Sequence, residues 1–352
     1  MEKRAKKWGF EGHTELKETS AVTVRGVLNM LMEGLNKEDS RPVIPLGHGD
    51  PSHFPSLRTA AVAENAIIDS LRSAKYNCYS PTVGVSSARR AIADYRNRDL
   101  PYTLSPDDVY LKIGWLLPWT FDSLQLVTLI GNEEKSWYLY IAETARNLGL
   151  LLIGDEAYDN LAFGSTPYVP VRAFGSTVPV LTLGSISKRW IVRKSRLVDS
   201  ITGFLDISSD PATFIQIICM LREGADMCYN AVKEIPFVTC PKTPEGSMSA
   251  MVKLDVSMLE DINDDIEFCL KLAEEESVIV LPGRQINSSN CSMDRWSQSV
   301  APPENFKFSW VAVGLKNWLR ITFAVEPSIL EEELARIKVF CQRHAKKAPM
   351  ID

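Results

Sequence analysis

The sequence predicts an α/β fold, with a mostly parallel sheet in a large domain and a smaller α+β domain behind it. Two short apolar runs, Leu150–Gly154 and Val178–Leu183, read as strands. Helical periodicity over Trp137–Leu148 precedes the first, with Ile141, Ala145 and Leu148 on one face. From Pro236 the pattern changes to short strands around a Pro-Glu-Gly-Ser turn, followed by an amphipathic helix.

Each apolar run ends on a group with chemistry. Gly149 reads as the C-cap of the helix before the first run, which leads into Asp155-Glu156-Ala157-Tyr158. The second run leads into Gly184-Ser185-Ile186-Ser187-Lys188-Arg189-Trp190. In a parallel sheet Asp155 and Lys188 fall on the same edge, outside the carboxyl ends of the strands, where such sheets bind ligands. A lysine desolvated near cationic neighbours has a lowered pKa and forms a Schiff base with an aldehyde. Ser185, Ser187 and an arginine nearby supply groups suited to a phosphate. A carboxylate such as Asp155 holds a pyridine nitrogen protonated, and a phenol such as Tyr158 donates to a ring oxygen. The combination points to pyridoxal 5'-phosphate. Alone, the heptapeptide reads equally well as a surface loop, and Asp155 and Tyr158 as a helix cap and a core tyrosine.

Those residues carry a family resemblance. The order Gly-His-Gly-Asp-Pro, Asp-Glu-Ala-Tyr, Ser-Ile-Ser-Lys-Arg-Trp, Pro-Glu-Gly-Ser-Met and Asn-Trp-Leu-Arg-Ile-Thr-Phe resembles the fold type I pyridoxal-phosphate-dependent aminotransferases. Within them it is most similar to the plant tyrosine and nicotianamine aminotransferase group, which includes a carbon–sulfur lyase. The resemblance covers most of the chain, in blocks, from about Pro42 onward. It implies a transaminase acting on an amino acid, tyrosine-like, and a 2-oxo acid. Lys188 and Tyr158 would be catalytic. Asp155, Ser185, Ser187, Arg196, Gly114 and Tyr79 would join them in holding the cofactor. Gly49 and Arg320 would meet the substrate, Arg320 by its α-carboxylate. Tyr79 would reach the phosphate of a second subunit, which implies a homodimer. By local pattern alone, Gly49 fits an ordinary turn and Arg320 a surface ion pair. Two other readings stand beside the transaminase: a carbon–sulfur lyase of the same family, and a product that has lost activity.

The chain also departs from the family. After a strand expected to begin at Val109–Leu111 it reads Lys112-Ile113-Gly114-Trp115, where only Gly114 matches the family's phosphate turn. No counterpart of the family's next section is evident from Trp115 to Lys135. The ring-stacking aromatic and an Asn-Pro-x-Asn-Pro segment are missing. After Lys188, Arg196 falls where the phosphate-clamping arginine is expected, but the family's Gly-Trp turn is absent. A further shortening is expected at Gln216–Ile218, with a new helix over Cys219–Lys233. Residues 284–310, rich in Ser, Asn and Gln, read as an inserted loop. Lost exon pieces and a retained intron would produce this pattern.

The remaining elements follow from local rules. An arm and a helix over Val22–Leu35 begin the chain. Leu57–Ala74 reads as a helix with Val62, Ile67, Ile68 and Leu71 inward, and Ser86 or Ser87 as the cap of the next. Phe237–Pro241, Ala250–Leu254, Val278–Leu281 and Trp318–Val325 read as strands. Along the last, Leu319, Ile321, Phe323 and Val325 share one face, and Arg320 lies on the other. Asp261–Glu274 reads as a helix with Ile262, Ile266, Leu270 and Ala273 inward. The final helix runs from Ser328, with Glu331 completing a capping box and Leu330, Leu334, Ile337 and Cys341 inward. The expected division is 1–55 for the N-terminal arm and helix, 56–218 for a shortened cofactor-binding domain, and 219–352 for the small domain.

Bulk properties narrow the function. The chain has 352 residues and a net charge of −5, with no basic run able to track nucleic acid. No apolar stretch reaches the roughly 18 residues of a membrane span. The basic start, Met1–Trp8, lacks the apolar stretch of a secretory signal, and Glu2, Glu11 and Glu15 argue against a transit peptide. The 7 cysteines are scattered, without Cys-x-x-Cys, as expected for free thiols in the cytoplasm rather than a disulfide framework or a metal site.

Overall fold

The structure is a computed structural model. It describes residues 24–47, 54, 57, 59, 61–74, 81–111, 126–129, 135–165, 167–185, 188, 211–283 and 315–346. Three helices come first: α1 (Val24–Glu33), α2 (Ala61–Ser73) and α3 (Ser86–Arg96). Strand β1 (Leu126–Leu129), helix α4 (Lys135–Asn147), β2 (Leu151–Asp155) and β3 (Val180–Leu183) follow. Next come α5 (Pro211–Val232), β4 (Val238–Thr239), β5 (Ser249–Leu254), α6 (Asp265–Glu276) and β6 (Leu281–Pro282). The order closes with β7 (Trp318–Thr322) and α7 (Pro327–Arg343).

The first sheet is parallel, in the order β1-β2-β3. The helix closing onto β2 ends as expected. Gly149 has φ of 67°, its N–H donates to Arg146, and the Leu150 N–H donates back to Ala145 at 2.8 Å. This pair of bonds satisfies carbonyls at the end of α4 and turns the chain directly into β2. Tyr138, Ala142 and Ala145 of α4 bury against Leu152, Val171, Phe174 and Val178.

The second sheet is antiparallel, in the order β4-β5-β7-β6. Leu319, Ile321, Phe323 and Val325 are all buried, as their alternation predicts. They join one core with α1, α5, α6 and α7. Phe268 of α6 and Phe340 of α7 meet edge to face at 5.1 Å, both fully buried. Leu330, Leu334, Ile337 and Cys341 face inward as expected.

Segment 161–164 joins the two sheets. The Phe163 and Gly164 N–H groups both donate to the Glu245 carbonyl at 2.9 Å, and the Ser247 N–H donates to Leu161. A Cβ at Gly164 would lie 2.3 Å from the Glu245 Cβ, so only glycine allows this approach. A polar cluster fixes the segment before residue 44. Arg41 bonds Asp39 and Glu276, and Ser277 donates to Asp39 at 2.8 Å.

Several expectations are corrected. Within Trp115–Lys135 the structure adds a strand the sequence did not predict: the apolar run Leu126-Val127-Thr128-Leu129 pairs with β2. Helix α5 starts at Pro211 rather than Cys219 and runs to Val232, burying Ile217 and Leu221. Val109–Leu111 enters neither described sheet; a 3-10 turn at Pro106–Asp108 precedes it, and the Leu111 N–H donates to Val83. On α2, Val62, Ile68 and Leu71 are exposed and the small Ala63 is buried. Val85 is the N-cap of α3 and makes no side-chain bond. Helix α6 starts at Asp265, because Asp264 accepts from the Ile266 and Glu267 N–H groups. It buries Phe268, Cys269, Leu272 and Ala273, while Ile266 and Leu270 are half-buried. Helix α7 starts at Pro327, whose fixed φ suits the first helical position, and the expected capping box is absent. β3 begins only after Pro179 and is half-buried, and β6 spans Leu281–Pro282 alone. Residues 284–310 lie outside the described residues.

Two predictions follow from the core of the small sheet. Phe340→Ala removes a fully buried ring and lowers stability by about 3–5 kcal/mol in denaturant titrations. Glu333 of α7 is fully buried, and neither carboxylate oxygen has a hydrogen-bond partner. Burial pushes its pKa from 4.5 up to about 9, against the pull of Arg336. A raised carboxyl pKa means stability present below pH 4.5 and lost as pH rises toward 9. Glu333→Met therefore raises the Tm at pH 8, by on the order of 1–3 kcal/mol of added stability, and the gain shrinks toward pH 5 in thermal scans.

Candidate active site

The site forms where the parallel sheet delivers its strand ends. In the β2–β3 register Asp155 sits opposite Leu183, so the acid and the loop bearing the lysine leave the sheet side by side. The next bond holds them there: the Glu156 N–H donates to the Leu183 carbonyl at 2.8 Å. The chain then turns, with the Leu161 N–H donating to the Tyr158 carbonyl at 2.8 Å. The Lys188 ammonium lies 5.4 Å from the centre of the Tyr158 ring, within cation–π range.

Arg320 reaches the same place from the other sheet. It projects from β7, whose reverse face is anchored by Leu319 and Ile321. One of its Nη atoms donates to the Gly47 carbonyl at 2.8 Å. Its buried Nε has no hydrogen-bond partner, and among the described residues no carboxylate pairs with it. Burial lowers its pKa, with the nearby Tyr158 opposing. The same proximity appears at Tyr158. Burial pushes that phenol up to about 12, against the pull of Arg320 and with Asp155 adding to the rise. At neutral pH Tyr158 is therefore a hydrogen-bond donor.

Asp155 completes the group. Burial raises its pKa, and the Ala157 N–H, donating at 3.3 Å, opposes the rise. No cation among the described residues forms an ion pair with it. These residues fit pyridoxal phosphate: a half-buried acid without a cation among the described residues suits a protonated ring nitrogen, and an orphaned guanidinium N–H suits a carboxylate. Half-buried Ser185 lies on the loop between β3 and Lys188. Gly49, Tyr79, Gly114, Ser187 and Arg196 lie outside the described residues.

The sequence reasoning missed Gly47. Its carbonyl holds Arg320, a role that the resemblance, which points to Gly49, did not indicate. The available signal was the first glycine of Gly47-His48-Gly49, which follows the buried residues Ile44 and Leu46. Among the described residues no helix is long and apolar enough to cross a membrane, and no group of acids, cysteines and histidines is placed to hold a metal.

No protein-family model matches the chain. It is 38% identical to nicotianamine aminotransferase 1 of Oryza sativa subsp. japonica, over 94% of this chain and 81% of that protein. It is 34% identical to nicotianamine aminotransferase A of Hordeum vulgare, over 97% of this chain and 90% of that one. It is also 34% identical to an S-alkyl-thiohydroximate lyase of Arabidopsis thaliana, over 97% of this chain and 89% of that one. The rice alignment spans 426 residues against 352 in this chain, so it carries gaps here, as the departures from the family pattern require. Among solved structures, the tyrosine aminotransferase from Leishmania infantum superposes with a TM-score of 0.70 at 20% identity, over 96% of this chain and 100% of that one. An alanine aminotransferase from Pyrococcus furiosus gives 0.67 at 17% identity, over 93% and 99%. By sequence and by fold, the chain belongs to the plant tyrosine and nicotianamine aminotransferase group of the fold type I aminotransferases.

Proposed function

We propose that this chain moves an amino group from an amino acid, aromatic and tyrosine-like, to a 2-oxo acid, with pyridoxal 5'-phosphate held at Lys188. The observation that carries the reading is the convergence of Lys188, Tyr158 and Asp155 with a half-buried Arg320 whose buried Nε has no hydrogen-bond partner. When bound, the cofactor supplies an electron sink for the electrons of the substrate Cα–H bond. Asp155 holds the ring nitrogen protonated, and Tyr158 donates its hydroxyl hydrogen to the ring oxygen. Lys188 carries the proton between the substrate Cα and the cofactor carbon. Arg320 takes the α-carboxylate through Nε and an Nη atom, with Gly49 beside the substrate. Ser185, Ser187, Arg196 and Gly114 hold the phosphate. Tyr79 reaches the phosphate bound by a second copy of the chain, so the working form is a homodimer. The 5 cysteines among the described residues are all free thiols, which supports a reducing compartment, the cytoplasm.

A second reading has its own support, since one relative at 34% identity is named a carbon–sulfur lyase. The two share Lys188 and the acid–phenol pair, and products separate them. With tyrosine and 2-oxoglutarate a transaminase yields glutamate. With a cysteine S-conjugate a lyase releases a thiol and no glutamate.

Lys188→Ala abolishes glutamate formation, and activity surviving in that variant would remove Lys188 from the mechanism. Arg320→Gln raises the KM for the amino acid by roughly 10- to 100-fold, the loss of a charge-assisted bond. An unchanged KM in steady-state kinetics would remove Arg320 from carboxylate binding.

A further inference from the structure

We propose that Arg96, in the last turn of α3, is a positioning residue that sets the placement of Tyr158 relative to Lys188. The inference rests on the cofactor reading of the site and adds to it a residue outside the site itself. The segment leaving β2 has two sides. Asp155 and Tyr158 lie at the site, while Glu156 and Asp159 turn the other way into a polar cluster. Their side chains are 2% and 4% exposed. Arg96 donates to Asp159, and Arg172 donates to Glu156 and, at 3.2 Å, to the same Asp159 oxygen. The Val171 N–H donates to Glu156 at 2.5 Å, and Asn160 donates to the other Asp159 oxygen. Two guanidiniums thus balance two carboxylates out of contact with most water, where such pairs are strongly directional.

Arg96 differs from Arg172 in what else it touches. Its Nη2 lies 3.3 Å from where a Cβ of Gly184 would stand, against the turn that leads from β3 to Lys188. One guanidinium therefore braces both loops, the one carrying Tyr158 and the one carrying Lys188. Burial pulls the Arg96 pKa down, and Asp159 beside it more than offsets this, so the cation is permanent. Reactive groups held to within about 0.5 Å depend on such supporting contacts. Because Arg172 remains on Asp159 when Arg96 is replaced, the substitution leaves no carboxylate without a cation.

The test is the pH titration of the visible spectrum of the full chain reconstituted with pyridoxal phosphate. Tyr158 donating to the ring oxygen favours the more negatively charged form of the bound cofactor. Its displacement therefore moves the titration midpoint upward. We expect a rise of about one pH unit in Arg96→Gln, a tenfold change in the proton dissociation constant, and a smaller rise in Arg96→Lys. Arg336→Gln, which loses a buried bond to the Glu276 carbonyl and none to the loops carrying Tyr158 and Lys188, leaves the midpoint in place. An unchanged midpoint in Arg96→Gln overturns the proposal, as does an equal shift in Arg336→Gln. If Arg96→Gln does not fold, Arg96→Lys decides in the same way: a raised midpoint supports the proposal and an unchanged one overturns it. A wild-type chain that gives no visible band with the cofactor is a different failure. It overturns the cofactor reading, and the positioning role with it.

Discussion

The parallel pairing of β2 with β3 is the constraint on which the site depends. The register that sets Asp155 opposite Leu183 also sets every later distance between the acid, the phenol and the lysine. Parallel strands deliver their carboxyl ends to one edge, and the loops beyond them need only a few residues to converge. Thus Lys188 meets the Tyr158 ring although 29 residues separate them in the sequence. Slipping the pairing by one residue would send Asp155 to the other face of the sheet.

The second sheet supplies what the first lacks, a fixed cation, for which carboxylate binding is proposed. Arg320 stands on a strand buried from behind, and the Gly47 carbonyl holds its guanidinium from the side. The 161–164 segment, bonded to Glu245 and Ser247, ties that sheet to the chain directly after Tyr158. Hydrogen bonds thereby hold the chain on both sides of the space between Tyr158 and Arg320. A desolvated guanidinium with an unused donor is costly unless an anion arrives, which favours the carboxylate role proposed for Arg320.

Much of this was legible in the sequence where local rules and tertiary demands coincide. Gly149 needed a positive φ, so the helix end and the start of β2 could be read directly. The alternation Leu319, Ile321, Phe323 and Val325 marked a buried face and left Arg320 on the other. What was not legible came from longer-range effects. The four residues of β1 are too short to show a period, and only the neighbouring strand identifies them. The apolar residues of α2 showed a helix but not which side met the core. The exchange of partners among Glu156, Asp159, Arg96 and Arg172 joins three separated stretches, and no spacing announces it. Gly47 gives no side-chain signal because its role is played by a backbone carbonyl, which no residue type advertises.

The most direct test of the site is chemical mapping. The chain is incubated with pyridoxal phosphate, reduced with borohydride, digested, and its peptides weighed by mass spectrometry. The account predicts one modified peptide, carrying the cofactor on Lys188. Modification of a different lysine, or of none, would contradict it.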